Sequence, residues 1–380
     1  MSQIKNLGIT GYDSLRFVTL DLERSRNFYL NKLDFKMTAR STSELEEQTG
    51  DRSEVYQAGD IRIECVQSLR EDSWASYHRK FHTAGIGNVN FAVRDVDEAW
   101  KRLEARGATF IDDIETIEKD GGTLRSFHIA TPLGNTTYGF VERKNFDLYD
   151  GGFEAVSEGG DNKFEFTTID HLTSNVRTLK PLVNWFRDVL GMEQFWDIAF
   201  HTSDIDPTRQ SGSGLKSIVM HDLEGGIKFA NNEPQKPFFN TSQIQKYLED
   251  FGGGGVQHAA FNVKDIVECI DELEDRGIEF LHTPQTYYEA APDRLAAQGV
   301  SSIEEDWDIL AEKGILVDGE DEKYLHQIFM KEAAIYYDEP DAGPFFIEII
   351  QRKGDEGFGG GNFRALFEAI ERDQVTRERV

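Results

Sequence analysis

The sequence predicts an α+β protein made of two tandem copies of one architecture, each assembled from β-α-β-β-β units. Three observations predict this. First, GNVNFAVRDVDEAWKRLEARGATF from Gly87 repeats as VQHAAFNVKDIVECIDELEDRGIEF from Val256. Phe91 matches Phe261, Asp95 matches Asp265, Leu103 matches Leu273, Arg106-Gly107 matches Arg276-Gly277 and Phe110 matches Phe280, always 170 positions apart. Second, Asp13-Ser14-Leu15 aligns with Asp170-His171-Leu172, and Asn27-Phe28-Tyr29 with Asn184-Trp185-Phe186, at an offset of 157. Third, GNTTYGFVERK, ending at Lys144, aligns with GPFFIEIIQRK, ending at Lys353, at an offset of 209. Constant offsets kept in the same order are the signature of an internal repeat.

Each element of the first copy has its own reason. DSLRFVTL (13–20) alternates apolar and polar residues, the period of a half-buried strand. LERSRNFYLNKLDF (22–35) carries apolar residues at helical spacing. VNFAVRDV (89–96) is a second strand, VDEAWKRLEARG (96–107) a second helix stopped by Gly107, and TYGFVER (137–143) a closing strand. The polar, Gly-rich stretch 145–163 reads as the connection. The expected domains are therefore 1–155 and 164–380, with Leu281–Pro340 as an insertion peculiar to the second copy.

Composition excludes several classes. The chain has 380 residues, room for two to three domain equivalents. It carries 41 Lys+Arg against 69 Asp+Glu, a formal charge of −28. Nucleic-acid binding needs a basic face to displace counterions, and a helix lying on an anionic membrane needs Lys or Arg. The acidity is spread along the chain and reads as a solvated surface. Two cysteines, Cys65 and Cys269, cannot form a disulfide framework. Neither a signal-peptide core nor a membrane-length apolar run is present, so a soluble, cytoplasmic protein is expected.

Chemistry shows where the copies disagree. Ser14 stands where the second copy has His171, Asn88 where it has His258, and Gly139 where it has Glu348. Two imidazoles and one carboxylate hold Fe(II) while leaving adjacent positions open for substrate and O₂. The gaps of 87 and 90 residues are no local motif; the repeat is what puts all three on strands of one sheet. Other signals are weaker. His78 and His82 in HRKFH have zinc-compatible spacing but no evident third ligand, and read as a surface pair. GFGGGNF (357–363) lacks the third glycine and the βαβ context of a dinucleotide loop. FGGGG (251–255) reads as a loop entering the strand of His258.

IDHLTSNV (169–176), SQIQKYLE (242–249), GVQHAAF (255–261), YLHQIF (324–329), PFFIEIIQR (344–352) and GFGGGNFRALFEAIE (357–371) resemble the 4-hydroxyphenylpyruvate dioxygenase family of the vicinal-oxygen-chelate superfamily. The resemblance covers the second half in order and the first half more loosely. It implies two tandem vicinal-oxygen-chelate (glyoxalase/bleomycin-resistance-like) domains, only the second holding metal, and a C-terminal closing helix. It also implies one Fe(II) per subunit held by His171, His258 and Glu348. Phe329 and Phe358 would sandwich the substrate ring with Phe363 nearby, and Ser217, Asn232, Gln243, Gln257 and Gln327 would form a polar lining. Gln257 adjoins His258 and should face away unless the strand is irregular. KFANNEP (228–234) departs from the family, with Ala230-Asn231 in place of the usual Pro-Ile. The implied reaction converts 4-hydroxyphenylpyruvate and O₂ to homogentisate and CO₂ in tyrosine catabolism, by a homodimer or homotetramer. Alternatives are a 4-hydroxymandelate synthase or a non-catalytic binding protein of the same fold.

Overall fold

The computed structural model describes residues 6–204 and 212–364. The first sheet contains β1 (Ile9–Val18), β2 (Lys36–Ser41), β3 (Asp51–Ala58), β4 (Ile61–Ser68), β5 (Gly85–Val93), β6 (Glu115–Lys119), β7 (Gly122–Ala130), β8 (Thr137–Lys144) and β9 (Phe153–Gly159). The second contains β10 (Ile169–Asn175), β11 (Glu193–His201), β12 (Gly214–His221), β13 (Lys228–Pro234), β14 (Gly255–Asn262), β15 (Leu316–Glu320), β16 (Lys323–Phe329) and β17 (Phe346–Lys353). Their orders are β6-β7-β8-β5-β1-β4-β3-β2-β9 and β15-β16-β17-β14-β10-β13-β12-β11. Apart from β9 they are the same sheet twice, and each is two β-α-β-β-β units joined through their first strands.

The register carries the repeat to single residues. Asn90 pairs with Gly139 on the parallel neighbours β5 and β8, as Ala260 pairs with Glu348 on β14 and β17. Ser14 lies opposite Asn90 as His171 lies opposite Ala260. The helices repeat as well. Asp95 caps Val96–Ala105 by accepting from the Glu98 N–H at 3.0 Å, and Asp265 caps Ile266–Asp275 through Glu268 at 3.1 Å. Both helices end at an arginine, followed by a glycine at φ 76°, Gly107 and Gly277, the left-handed turn glycine adopts without strain. The helix expected at 22–35 is an α-helix only over Leu22–Arg26 and widens into a π-turn over Asn27–Lys32. Its second-copy counterpart does the same over Leu179–Trp185 and Phe186–Leu190.

One apolar core spans both copies. Phe91 and Tyr138 of the first sheet meet Phe229 of the second at ring distances of 6.2 and 5.8 Å, and Phe35 meets Phe261 at 6.1 Å. Cys65 and Cys269 are buried free thiols. Among the described residues no helix is long and apolar enough to cross a membrane.

Three expectations need correction. The connection 145–163 is not wholly loop, because Phe153–Gly159 pairs with β2 and extends the first sheet. Nor is all of 281–340 an insertion. The β15–β16 hairpin is the counterpart of β6–β7, with Phe329 opposite Glu348 as His128 is opposite Gly139. Its sequence has diverged and two inserted helices, Gln285–Ala297 and Trp307–Lys313, break the spacing. His78 and His82 are not a surface pair but 4% and 7% exposed. Their rings lie 4.9 Å apart, and His82 stacks on Phe251 of the second copy at 4.6 Å. The expected closing helix begins at 360–364, and its continuation lies outside the described residues.

Burial, with His82 beside it, lowers the His78 pKa to about 3, and burial lowers that of His82. The unfolded chain therefore binds protons that the folded one refuses, and stability falls as pH drops from about 6.5 towards 3. His78 alone is expected to cost about 2 kcal/mol between pH 7 and pH 5. Urea unfolding at the two pH values checks this, with His78→Leu flattening the difference.

Candidate metal centre

β14 lies between β10 and β17, antiparallel to the first and parallel to the second. His171, His258 and Glu348 project from these strands to the same side. Their candidate ligand atoms all lie within 4.8 Å of one another, and the residues are 2%, 4% and 1% exposed. Glu348 Oε2 sits 3.4 Å from Nε2 of both histidines. Its other oxygen, Oε1, accepts from Gln327 Nε2 at 2.8 Å. The carboxylate is thus oriented, one oxygen toward the imidazoles and one held by an amide.

Beneath the centre lies a largely buried ion pair, its side chains 8% and 15% exposed. Arg352 donates to both oxygens of Asp170 at 2.6 and 2.7 Å, and Asp170 Oδ1 is 2.9 Å from His171 Nδ1. That contact fixes the ring so that Nε2 faces the other two donors. Arg352 also donates to the carbonyls of Asp355 and Gly357, at 2.8 and 2.9 Å, and so anchors the loop that presents Phe358. The first copy keeps this arrangement without the donors. Arg143 grips Asp13 at 2.7 and 3.1 Å and donates to the carbonyls of Leu148 and Tyr149. Above it Asn90 donates to Ser14 Oγ at 2.9 Å, and a Cβ on Gly139 would lie 2.0 Å from Asn90 Oδ1.

Charge and burial oppose each other here. Burial disfavours the ionised Glu348, but the charges and hydrogen bonds of His171 and then His258 hold its carboxyl down to about 2. Burial likewise disfavours a charged His171, yet Glu348 and Asp170 raise its pKa to about 9. Asp170 is held well below the usual carboxylate range against its burial, chiefly by Arg352. His258, dominated by burial, is lowered. The pocket over these groups, about 280 Å³, is lined by His171, Thr173, His258, Gln327, Phe329, Glu348, Phe358 and Phe363.

The sequence model of the Glyoxalase/Bleomycin resistance protein/Dioxygenase superfamily matches residues 11–137 and 168–291, one match in each copy. The 4-hydroxyphenylpyruvate dioxygenase of Dictyostelium discoideum is 32% identical, across 97% of this chain and 99% of that protein. That of Caenorhabditis elegans is 33% identical, across 96% and 92%. The chain belongs to the 4-hydroxyphenylpyruvate dioxygenase family. Among solved structures, a triple mutant of 4-hydroxymandelate synthase from Streptomyces coelicolor shares the fold, with a TM-score of 0.77, 23% identity and coverage of 97% of this chain and 99% of that one.

The donor set of this family member fits a divalent metal: two imidazole nitrogens and one carboxylate oxygen converge, and three buried donors from three strands leave part of the coordination sphere open. Of the other expected residues, Gln327, Phe329, Phe358 and Phe363 line the pocket. The Phe358 ring lies 4.5 Å from the His171 ring, tilted by 52°, and Phe329 is 6.1 Å from His258. Ser217, Asn232 and Gln243 lie outside that lining. All three are buried, and among the described residues Ser217 Oγ, Asn232 Oδ1 and Gln243 Oε1 have no hydrogen-bond partner. Ser217 pairs with Asn232 across β12 and β13, and Asn232 donates to Asn175 Oδ1 at 3.0 Å. Gln257 is also outside the lining. The register slips between Thr173–His258 and Ser174–Val256, so Gln257 is the extra residue of a β-bulge, an irregularity that frees it from strict alternation. At the departure from the family pattern, Ala230 packs against Phe358, Val219 and Trp196, while Asn231 accepts from Ser174 Oγ at 2.7 Å.

Sequence reading missed Thr173, Asn175, Phe346 and the Asp170–Arg352 pair. Thr173 and Asn175 follow His171 at steps of two, so alternation along the strand would have found them. Phe346, two before Glu348, stacks on His258 at 4.8 Å. The ion pair is announced by its copy: Asp13 and Arg143 align with Asp170 and Arg352 at the offsets of the repeat.

Asp170→Ala leaves Arg352 buried without its carboxylate and is expected to cost about 3–5 kcal/mol in urea unfolding. Asp13→Ala should cost a similar amount through Arg143. Metal titration separates the two, because only Asp170→Ala should weaken metal binding.

Proposed function

We propose that the protein is an Fe(II)-dependent 4-hydroxyphenylpyruvate dioxygenase that converts 4-hydroxyphenylpyruvate and O₂ to homogentisate and CO₂, a step of tyrosine breakdown. The observation that carries this reading is the buried convergence of His171, His258 and Glu348 under an aromatic-walled pocket. Membership of the family makes the chain a dioxygenase, and the donor set supports iron as the metal. We assign metal-free residues 1–155 to a structural copy and residues 164–380 to the catalytic one.

Iron, when bound, supplies the site where a 2-oxo acid chelates and O₂ is activated. The chain supplies orientation and exclusion. Asp170 holds the His171 ring, and Gln327 holds Glu348 Oε1 so that Oε2 is the metal-facing oxygen. Phe329 and Phe358 bound the pocket from β16 and from the loop after β17, and offer two flat walls for a phenol ring. Ser217, Asn232, Gln243 and Gln257 are the groups we assign to the substrate's polar ends. The buried oxygens of the first three, without a partner among the described residues, support that role, since buried acceptors normally have donors. Phe363 closes the pocket near Trp196, 5.8 Å from its ring, and helps keep water out.

Chromatography of the products of the iron-loaded enzyme and 4-hydroxyphenylpyruvate is expected to show homogentisate. Hydroxymandelate in its place would make the chain a 4-hydroxymandelate synthase, and an absence of oxygen uptake would make it a binding protein. Glu348→Ala is expected to lose stoichiometric iron on gel filtration, and a variant that keeps both iron and turnover would refute the ligand assignment.

A further inference from the structure

The insertion of the second copy reaches the metal centre through a chain of hydrogen bonds. Arg294 and Tyr287 both lie on the helix Gln285–Ala297, which has no counterpart in the first copy. Arg294 Nη2 donates to the Tyr287 hydroxyl at 3.0 Å, and the Val317 N–H donates to it at 2.8 Å. The hydroxyl lies 2.6 Å from Asn362 Oδ1. Asn362 Nδ2 donates to Gln327 Oε1 at 2.9 Å, and Gln327 Nε2 donates to Glu348 Oε1 at 2.8 Å. A second arm runs from Arg294 Nη1 to Asp318 Oδ1 at 2.7 Å, while Asp318 Oδ2 accepts the Gly361 N–H at 2.8 Å. Both arms converge on residues 361–362, next to Phe363 of the pocket wall. Asn362 is fully buried and Gln327 is 4% exposed.

The direction of this chain is set from the carboxylate end. A guanidinium only donates, so the phenol oxygen must accept from it and from the Val317 N–H. The single phenol hydrogen then has two acceptors in reach, the Val317 carbonyl at 2.7 Å, which also accepts from Arg294, and Asn362 Oδ1 at 2.6 Å. An ionised carboxylate only accepts, so Gln327 must offer Glu348 its NH₂ and turn its carbonyl to Asn362. Asn362 therefore gives its NH₂ to Gln327, and its carbonyl faces Tyr287 and takes the phenol hydrogen. One amide orientation satisfies every group; its reverse would set carbonyl oxygen against carboxylate.

We propose that Tyr287 and Arg294 are positioning residues for the metal centre, which fix the Asn362 and Gln327 amides so that Glu348 offers the metal a single oxygen. The chain also makes the seating of residues 361–363 and the setting of the carboxylate one event. This rests on the ligand assignment made above. Without the phenol hydrogen the Asn362 amide can rotate, Gln327 loses its fixed orientation, and Glu348 Oε1 is released to the metal.

Tests use the full-length apoprotein, titrated anaerobically with Fe(II), and with Co(II) as a spectroscopic probe. Tyr287→Phe is expected to weaken Fe(II) binding about ten-fold, the effect typical of groups that orient a ligand. It should also alter the Co(II) d–d spectrum as the carboxylate changes its mode of binding. Asn362→Leu should reproduce both changes from the other side of the pocket, and it decides the question should Tyr287→Phe fail to fold. Folded variants with wild-type Fe(II) affinity and an unchanged Co(II) spectrum would overturn the proposal. A wild-type protein that takes up neither metal would instead overturn the ligand assignment itself.

Discussion

The metal centre depends on the register of β14 between β10 and β17. Side chains on a strand alternate faces, so a slip of one residue would turn His258 away and bring Gln257 forward. The register is held on both sides: Ala260 faces His171 on one neighbour and Glu348 on the other. Behind the strands, Leu172, Ala259, Phe261, Ile347 and Ile349 belong to the core shared by the two copies. Shifting a strand would pull these side chains out of that core. Packing on one face therefore sets donor geometry on the other.

Much of this was written in the chain. The offsets of the repeat predicted which residues stand at equivalent strand positions, and the pairing of Asn90 with Gly139 and of Ala260 with Glu348 follows them. Repeats are legible because they compare a sequence with itself and cancel the ambiguity of local propensity. What stayed hidden had physical causes. The β15–β16 hairpin kept its pairing but not its residues, because a strand needs alternation and not identity. The pair His78–His82 looked like surface because histidine is ambivalent, and its burial depends on Phe251 from the other copy. The strand Phe153–Gly159 hides among polar and glycine residues that signal loop, since its stability comes from the edge of β2 and not from its own composition.

The site residues divide the same way. The donors could be located from the repeat, and the aromatic walls from the family resemblance. The orienting groups could not, because the helix of Tyr287 and Arg294 lies far from Asn362 in sequence and meets it only in the folded chain. The bulge at Gln257 belongs with them, as strand irregularity leaves no mark on the residues themselves.

The buried pair of aspartate and arginine, present under both sheets, bears on how such a duplicated chain can change. Each partner neutralises the other, so removing either one strands a charge in the interior. The positions above carry no such mutual dependence: serine, asparagine and glycine sit there in one copy, and histidine, histidine and glutamate in the other. A single substitution can thus erase the donor set, and at least three are needed to install it, while the foundation below resists piecemeal loss. The lower layer therefore tolerates single substitutions less well than the upper one, and the first copy keeps that lower layer without the three donors.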